Sequence, residues 1–219
     1  MIADERRSLI WWAWVGDHLD EIWQRTVEHV QLALIAIVVG SLISFMLSVI
    51  AVRFRWTFKP ITRVGSILYT IPSLALFGLL VQFTGFGLLT AEIALVSYTI
   101  FILVSNTVAG LDAVPAPVKE AADAMGYTWW HRLIAVEFPL ALPAVVAGLR
   151  IASVTVIGLV TIAAFIGNGG YGALINDGLQ RSFPTPIVIG AVLSVAFALL
   201  IDGLLAFALW ALTPWRRRS

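Results

Sequence analysis

Five long apolar stretches constrain this chain more than any other feature of its sequence. Each is long enough to cross a bilayer core of roughly 30 Å, which takes about 20 helical residues. Charged residues are scarce, because 60% of the 219 residues are hydrophobic and only 12% are charged. We therefore predict an all-α membrane protein with five transmembrane helices, which run approximately over residues 30–52, 61–83, 88–111, 142–166 and 187–212.

Basic residues indicate how these helices are oriented. Arg53, Arg55 and Lys59 occupy the first connection, and three arginines follow each other at 216–218 near the C-terminus. Cytoplasmic loops of membrane proteins are enriched in such residues. Both clusters therefore belong in the cytoplasm, and an odd number of helices then puts the N-terminus outside. Residues 1–29, with six acids against three arginines, agree with this orientation.

The sequence indicates one transmembrane domain over residues 30–212, which includes a cytoplasmic loop at 112–139. Residues 213–219 follow as a basic cytoplasmic tail. Residues 1–29 carry four tryptophans among charged residues and are predicted to form an external amphipathic segment at the membrane interface. An external gate or docking surface is the alternative. A cleaved signal peptide is disfavoured, because no small-residue cleavage site follows the apolar run at 9–15.

The loop at 112–139 contains signals for a helix of its own. Pro117 suits the first turn of a helix, where its missing N–H costs nothing. The Ala-rich residues that follow favour helix, and Gly126 supplies a left-handed stop. Because Ala121 and Ala122 have small side chains, the face that they share should let another protein approach closely.

A second short helix is predicted after this glycine. Thr128 can cap a helix over residues 129–136. Pro139 and Pro143 should prevent that helix from continuing straight into the next transmembrane segment. The predicted loop is a short, rigid element held at the membrane surface. This arrangement favours protein docking over an ordinary surface helix.

The same loop resembles a motif of a known family. In the EAA loop of ABC importer permeases, Glu-Ala-Ala is followed after three residues by Gly, and then by an apolar segment that ends in Pro. Five positions of this sequence match that pattern: Glu120, Ala121, Ala122, Gly126 and Pro139. Val136 and Phe138 stand where the family has Ile and Leu. The resemblance implies that these positions form the coupling helix, which sits in a cleft of a partner ATPase.

The resemblance extends over about residues 30–211 and points to one subfamily. Ser105 departs from the pattern, because an Arg is expected there. The resemblance implies the type I ABC importer permease fold, a place in the bacterial cytoplasmic membrane, and small quaternary amines or proline as cargo. Three further segments are similar to the permeases of glycine betaine, carnitine, choline and proline (osmoprotectant) importers: residues 70–77, 106–111 and 164–172.

The resemblance also implies partners. They are two ATP-binding subunits, a second permease that is either a copy or a paralogue, and an external substrate-binding protein. Closure of the ATPases on ATP would rock the permease pair between inward-facing and outward-facing states. ATP and Mg²⁺ would then bind to the partner ATPase, and this chain would bind no cofactor.

Aromatic residues of the second and third helices are candidates for the cargo path, because quaternary cations bind to aromatic faces. We include Tyr69, Phe77 and Tyr98, with Asn106 as a polar candidate in the third helix. The alternative is that the aromatic side chains face lipid or pack against neighbouring helices.

Two charges inside predicted helices should form a structural ion pair. Arg150 lies about seven residues from the cytoplasmic end of the fourth helix, and Asp202 about eleven from that of the fifth. Their depths then differ by only about 6 Å, which an Arg side chain can bridge. A lone charge within a membrane is costly, so a partner is expected. Alternatively, Arg150 extends its guanidinium to the cytoplasmic surface.

The sequence lacks residues for chemistry of its own. It has no P-loop, so ATP hydrolysis belongs to a partner and the chain is predicted not to be an enzyme. It has no Cys and only three scattered His, which disfavours a metal site, and its net charge of +1 does not favour nucleic acid. The alternative is an ion-coupled secondary transporter, although such proteins usually have more helices and two repeated halves. Glu92 and Asp202 would be its candidate intramembrane carboxylates.

Overall fold

The computed structural model describes residues 9–167 and 169–214, and all regular elements within these ranges are helices. Three short non-α segments lie at Arg55–Thr57, Leu133–Glu137 and Ala164–Ile166; the middle one is π-helical and the others are 3-10 turns. In chain order the α-helices are α1 (Trp12–Asp17), α2 (Leu19–Arg53), α3 (Phe58–Thr70), α4 (Ser73–Thr84), α5 (Leu88–Asp112), α6 (Ala116–Ala124), α7 (Trp129–Arg132), α8 (Phe138–Ala163), α9 (Tyr171–Gln180) and α10 (Pro184–Leu212).

Four continuous helical stretches in the described ranges are long and apolar enough to cross a membrane. They contain α2, α5, α8 and α10, and the bent pair of α3 and α4 is a fifth if it counts as one crossing. The end of the bundle that carries residues 112–139 is called the loop end, and the opposite end is called the far end.

Helix α5 lies at the centre of the bundle. It packs against α2 on one side and α8 on the other, while α3 and α4 also contact it and α10 packs on α8. Glycines allow two of these close contacts, because a Cβ on Gly40 would overlap Thr99 and a Cβ on Gly148 would overlap Asn106. Small residues at helix crossings are typical of membrane bundles, where close backbone approach supplies van der Waals attraction.

The helix that contains the first predicted crossing begins before residue 30. Helix α1 is a separate short piece, but α2 runs without interruption from Leu19 to Arg53, so no helix end falls at residue 29. No proline lies between these two ends, and a helix once formed extends cooperatively until something stops it. Much of the segment predicted to lie along the interface therefore continues straight into the first transmembrane helix.

The second transmembrane segment is not the continuous helix that the sequence analysis predicts. It breaks between α3 and α4, whose axes meet at a bend of 102°. Ile71 is extended, with φ −66° and ψ 127°, because the ring of Pro72 disfavours helical backbone in the residue before it. The missing N–H of Pro72 also removes one helical hydrogen bond.

The predicted interruption of the helix at Pro139 and Pro143 does not occur. Helix α7, the π-helical segment and α8 form one continuous helical stretch, Trp129–Ile166, together with the last 3-10 turn. Pro139 lies in the first turn of α8, where its missing N–H is tolerated, and the preceding turn is widened so that the Phe138 N–H bonds to the Leu133 carbonyl. Pro143 is accommodated inside α8.

Turns rich in glycine close the far end. Gly85 and Gly87 have φ of +75° and +135° between α4 and α5. The long connection before α10 contains α9, a helix that packs against α10 and α2. Residues 1–8, Asn168 and the arginines at 216–218, on which part of the orientation argument depends, lie outside the described residues.

Candidate functional site

The loop at 112–139 begins with α6, a glycine stop and α7. Helix α6 ends in a Schellman motif, in which the Tyr127 N–H donates to the Ala122 carbonyl at 3.1 Å and the Gly126 N–H to the Asp123 carbonyl at 2.9 Å. Gly126 has φ +83°, the left-handed conformation that glycine adopts most easily. The Thr128 hydroxyl then accepts a hydrogen bond from the His131 N–H at 3.4 Å and caps α7.

The two alanines of the motif differ in exposure. Glu120 and Ala121 are exposed, but Ala122 is only 1% exposed because α6 rests on its own subunit there. The prediction that both alanines form one open face is therefore wrong for Ala122. A side chain of this size at position 122 lets α6 lie close to the rest of the loop, whereas Ala121 is available to another protein.

A buried carboxylate holds the loop together. Glu137, at the end of the π-helical segment, is 2% exposed, and Arg132 Nε donates to its Oε1 at 2.8 Å. Lys119 Nζ of α6 lies 3.3 Å from its Oε2 and also donates to the Leu111 carbonyl at 2.9 Å. Arg132 binds Asp123 of α6 as well. These contacts tie α6 to the ends of both α5 and the helix that continues as α8.

Sequence analysis missed Glu137 and its partners. The available signal is a charged residue between two apolar ones, Val136 and Phe138, at the end of the EAA pattern. A buried carboxylate requires compensating cations, and two basic residues of the loop, Lys119 and Arg132, supply them.

Two further contacts attach the end of α2 and the turn that follows it to the loop at 112–139. The guanidinium of Arg53 lies 5.2 Å from the ring centre of Trp129, a cation–π arrangement. Arg55 binds the carboxylate of Asp112 with both of its terminal nitrogens, one at 2.9 Å. Two of the basic residues used to orient the chain therefore also brace the loop.

Exposed apolar side chains surround the motif. Met125 directly precedes the glycine stop and is 67% exposed, and Trp130 and Ile134 are also exposed. Such a flexible apolar side chain next to the exposed Ala121 suits a protein contact. Sequence analysis did not select Met125, although an apolar residue at a helix end before a glycine was visible.

The candidate cargo-path residues lie in different environments. Phe77 is fully buried in the core cluster, and Tyr98 is nearly so, with its hydroxyl donating to the Ile71 carbonyl at 2.7 Å. Tyr69 is partly exposed and packs its ring against Tyr98 at 5.5 Å. Asn106 Nδ2 donates to the Ile102 carbonyl at 2.8 Å. Among the three aromatic candidates, Tyr69 presents the most exposed ring.

Arg150 of α8 and Asp202 of α10 lie together. Arg150 Nε and Nη2 each donate to one carboxylate oxygen of Asp202 at 2.7 Å. The side chains are 37% and 30% exposed in this subunit. The arrangement is bidentate, the geometry in which Arg and carboxylate match best.

The far end carries a second set of polar contacts. Glu28 Oε2 accepts the Gly170 N–H at 2.9 Å, and His29 Nδ1 accepts the Tyr171 N–H at 3.3 Å. His29 is fully buried and stacks on the Tyr171 ring at 4.3 Å. The N-terminal end of α9 is thereby attached to α2.

Within the described residues, the chain forms a bundle of membrane-length helices with a surface loop that is braced by ion pairs at one end. The sequence matches the family of binding-protein-dependent transport system inner membrane components over residues 36–209. The chain therefore belongs to this family of ABC importer permeases, which are components of the bacterial inner membrane and are not themselves the catalytic subunits.

Relatives of known function match most of the chain. The osmoprotectant import permease protein OsmW of Salmonella typhimurium is 37% identical over 194 residues, which cover 86% of this chain and 90% of that protein. The choline transport system permease protein OpuBB of Bacillus subtilis is 35% identical over 194 residues, 89% of each.

A solved structure has the same fold. The permease of the MetNI methionine ABC transporter, in an inward-facing conformation, superposes with a TM-score of 0.77 at 23% identity and covers 88% of this chain and 96% of that one. The arrangement of helices is therefore that of an ABC importer permease.

Proposed function

We propose that this permease crosses the membrane five times, with residues 1–29 outside and residues 213–219 in the cytoplasm. The bent pair α3–α4 counts as the second crossing, and residues 30–212 form the transmembrane domain. The loop end is then the cytoplasmic end. The basic residues of the first connection support this orientation.

The loop at 112–139 docks on a partner ATPase, which binds ATP and Mg²⁺ and performs the hydrolysis. A second permease, either a copy or a paralogue, completes the path, and an external binding protein delivers cargo. One observation carries the proposal: Glu120 and Ala121 of α6 and the following Met125 are exposed, while Glu137 attaches α6 to its own subunit through Lys119. A rigid contact can transmit a push, whereas a mobile one absorbs it.

The cargo is a small quaternary amine or a related osmoprotectant. The relatives are named for osmoprotectant import and for choline transport, and another, at 34% identity, for glycine betaine, carnitine and choline. Tyr69 offers a partly exposed aromatic ring of the kind that such cations bind.

A pair of adjacent variants tests the docking surface. Ala121→Trp should leave the permease folded in the membrane but detach the ATPase, because residue 121 faces outward. Ala122→Trp should instead lower the amount of folded permease, because residue 122 is packed inside the subunit. Copurification of the ATPase and detergent stability are measured for both. Full ATPase binding by Ala121→Trp would contradict the docking assignment.

Transport by the reconstituted complex tests the cargo. Permease, ATPase and binding protein in proteoliposomes should take up labelled glycine betaine, choline, carnitine or proline when ATP is supplied to the ATPase. Uptake should persist when the ion gradient is collapsed, which an ion-coupled transporter would not allow. Absence of uptake for all four compounds would refute the cargo assignment but not the family.

A further inference from the structure

Polar side chains recur along one side of α3. Lys59, Arg63, Ser66 and Thr70 follow each other at spacings of three or four residues and therefore lie in one line along the helix. Lys59, Arg63 and Thr70 are exposed in the subunit, and Ser66 is partly exposed. We call these four residues the polar side of α3.

The same helix has a second exposed side, which is apolar. Pro60, Val64 and Ile67 form it, again at spacings of four and three residues, and Val64 is 60% exposed. The remaining side packs on α5, where a Cβ on Gly65 would overlap Phe101. One short helix therefore has a packed side, an apolar exposed side and a polar exposed side.

The contacts with α5 place α3 within the bilayer rather than flat on its surface. Phe58 and Ile61 pack against the cluster of Val104 and Val108. Eleven residues further along α3, Tyr69 meets Tyr98, which lies nearer the start of α5. The two helices thus run antiparallel side by side, and α5 is a membrane-length helix.

Polar groups at this depth cannot face hydrocarbon without cost. At 1.5 Å per residue, Ser66 and Thr70 lie about 12 and 18 Å beyond the first residue of α3. Their hydroxyls donate to the carbonyls of Arg63 at 3.0 Å and of Ser66 at 2.6 Å, and each hydroxyl oxygen can still accept a hydrogen bond. Charged and polar side chains within a membrane usually face a water-filled cavity or a partner.

We propose that the polar side of α3 is part of the wall of the cytoplasmic half of the cargo path. Lys59 and Arg63 stand at its cytoplasmic mouth, and the wall rises through Ser66 and Thr70 to the break before Pro72. The apolar side with Val64 and Ile67 faces lipid. This assignment rests on the proposed function only in that the subunit encloses a path for a small polar solute.

Thiol labelling tests this assignment, because the chain has no cysteine and an introduced thiol is the only one in this subunit. The complex with the unaltered permease serves as the background for thiols of its partners. The variants are Ser66→Cys on the polar side and Val64→Cys as the matched control, since both residues lie at nearly the same depth on one helix. The probe is a methanethiosulfonate that carries a trimethylammonium group. It is added to inside-out vesicles that contain the complex without nucleotide, which is the inward-facing condition.

The Ser66→Cys variant should react at least about tenfold faster than Val64→Cys, because a fixed positive charge enters water but not hydrocarbon. Modification at position 66 should also block transport, and trapping the ATPase in its closed state should slow the reaction. If Ser66→Cys disturbs assembly, Thr70→Cys replaces it.

Equal rates for the two positions would overturn the assignment, and so would an unreactive Ser66→Cys and Thr70→Cys in an assembled complex. The latter result would mean that a second permease covers this side of α3. Failure of the proposed cargo leaves the labelling pattern unchanged. Conversely, suppose that the complex takes up an osmoprotectant but the thiols at positions 66 and 70 do not react. That result would refute the placement of α3 in the wall of the path, while the proposed function stands.

Discussion

At the scale of single residues, the loop at 112–139 depends on a glycine that turns the chain. Gly126 has φ +83°, and the helices on either side of it meet at the angle that this conformation sets. A Cβ at this position would meet no neighbouring atom, so backbone conformation rather than space restricts the residue. Asn tolerates such φ values far better than a β-branched residue does.

Two substitutions of Gly126 should therefore differ in their effect on cargo-stimulated ATP hydrolysis. Gly126→Val should cost roughly 1–2 kcal/mol or more in the loop and re-aim α6, so that cargo-stimulated ATP hydrolysis is lost while membrane insertion is kept. Gly126→Asn, the matched control, should retain most of the activity. Both are measured by stimulated ATP hydrolysis in the reconstituted complex. Equal activity of the two variants would show that the left-handed turn is not needed.

At the scale of elements, α6 is attached to its subunit by charge as well as by packing. Glu137 binds Lys119 of α6 and Arg132 at the end of α7, and Arg132 reaches back to Asp123. Together with the hydrogen bond from Lys119 to the Leu111 carbonyl, these ion pairs join α5, α6 and the helix that leads into α8. A displacement of α6 should therefore move the fourth transmembrane helix directly.

Neutralising Glu137 should weaken this attachment. Removal of one partner from a buried ionic contact costs on the order of 3 kcal/mol, because the remaining charges lose compensation. Glu137→Gln should preserve binding of the ATPase but make ATP hydrolysis poorly responsive to the binding protein. Asp112→Asn serves as the control, since Asp112 pairs with Arg55 at an exposed position where ion pairs contribute about 1 kcal/mol or less.

The two variants also separate a positioning role from a purely structural one. A structural defect would lower the amount of complex and all its activities together. A positioning defect changes the number of cargo molecules moved per ATP at constant complex yield. An unchanged ratio in Glu137→Gln would contradict the role assigned to this residue.

At the scale of the whole molecule, an ion pair within the bundle connects α8 and α10. Its two residues, Arg150 and Asp202, are 52 positions apart in the sequence. Arg150 and Asp202 both remain partly exposed in the single subunit. Charges within a membrane are expected to face other protein or water, so this part of the α8–α10 surface should be covered in the assembled transporter.

Charge reversal tests whether the pair itself matters. Arg150→Asp and Asp202→Arg should each impair folding or transport, because each places two like charges together. The double reversal restores attraction and should recover much of the lost activity. Folded yield and transport are measured for all three variants. A double variant as defective as either single one would argue against pairing.

The sequence by itself determined the membrane class, the helical architecture and the two short helices of the loop at 112–139. The length of an apolar stretch, a Gly or Pro residue and the EAA motif can each be recognised within one short segment of the sequence. Tertiary structure decided which side chains are buried and which are exposed. It buries Ala122 beside the exposed Ala121 and places Phe77 in the core. It also brings Lys119 and Arg132 to the carboxylate of Glu137.

Local signals also misled where neighbours decide the outcome. Pro72 broke its helix, whereas the helix continues through Pro139 and Pro143. A widened π turn precedes α8 and accommodates the missing donor of Pro139. The proline ring restricts backbone angles in the same way at all three positions. Whether the helix is interrupted depends on which hydrogen bonds the neighbouring turns form, and those bonds are a property of the folded molecule rather than of the proline.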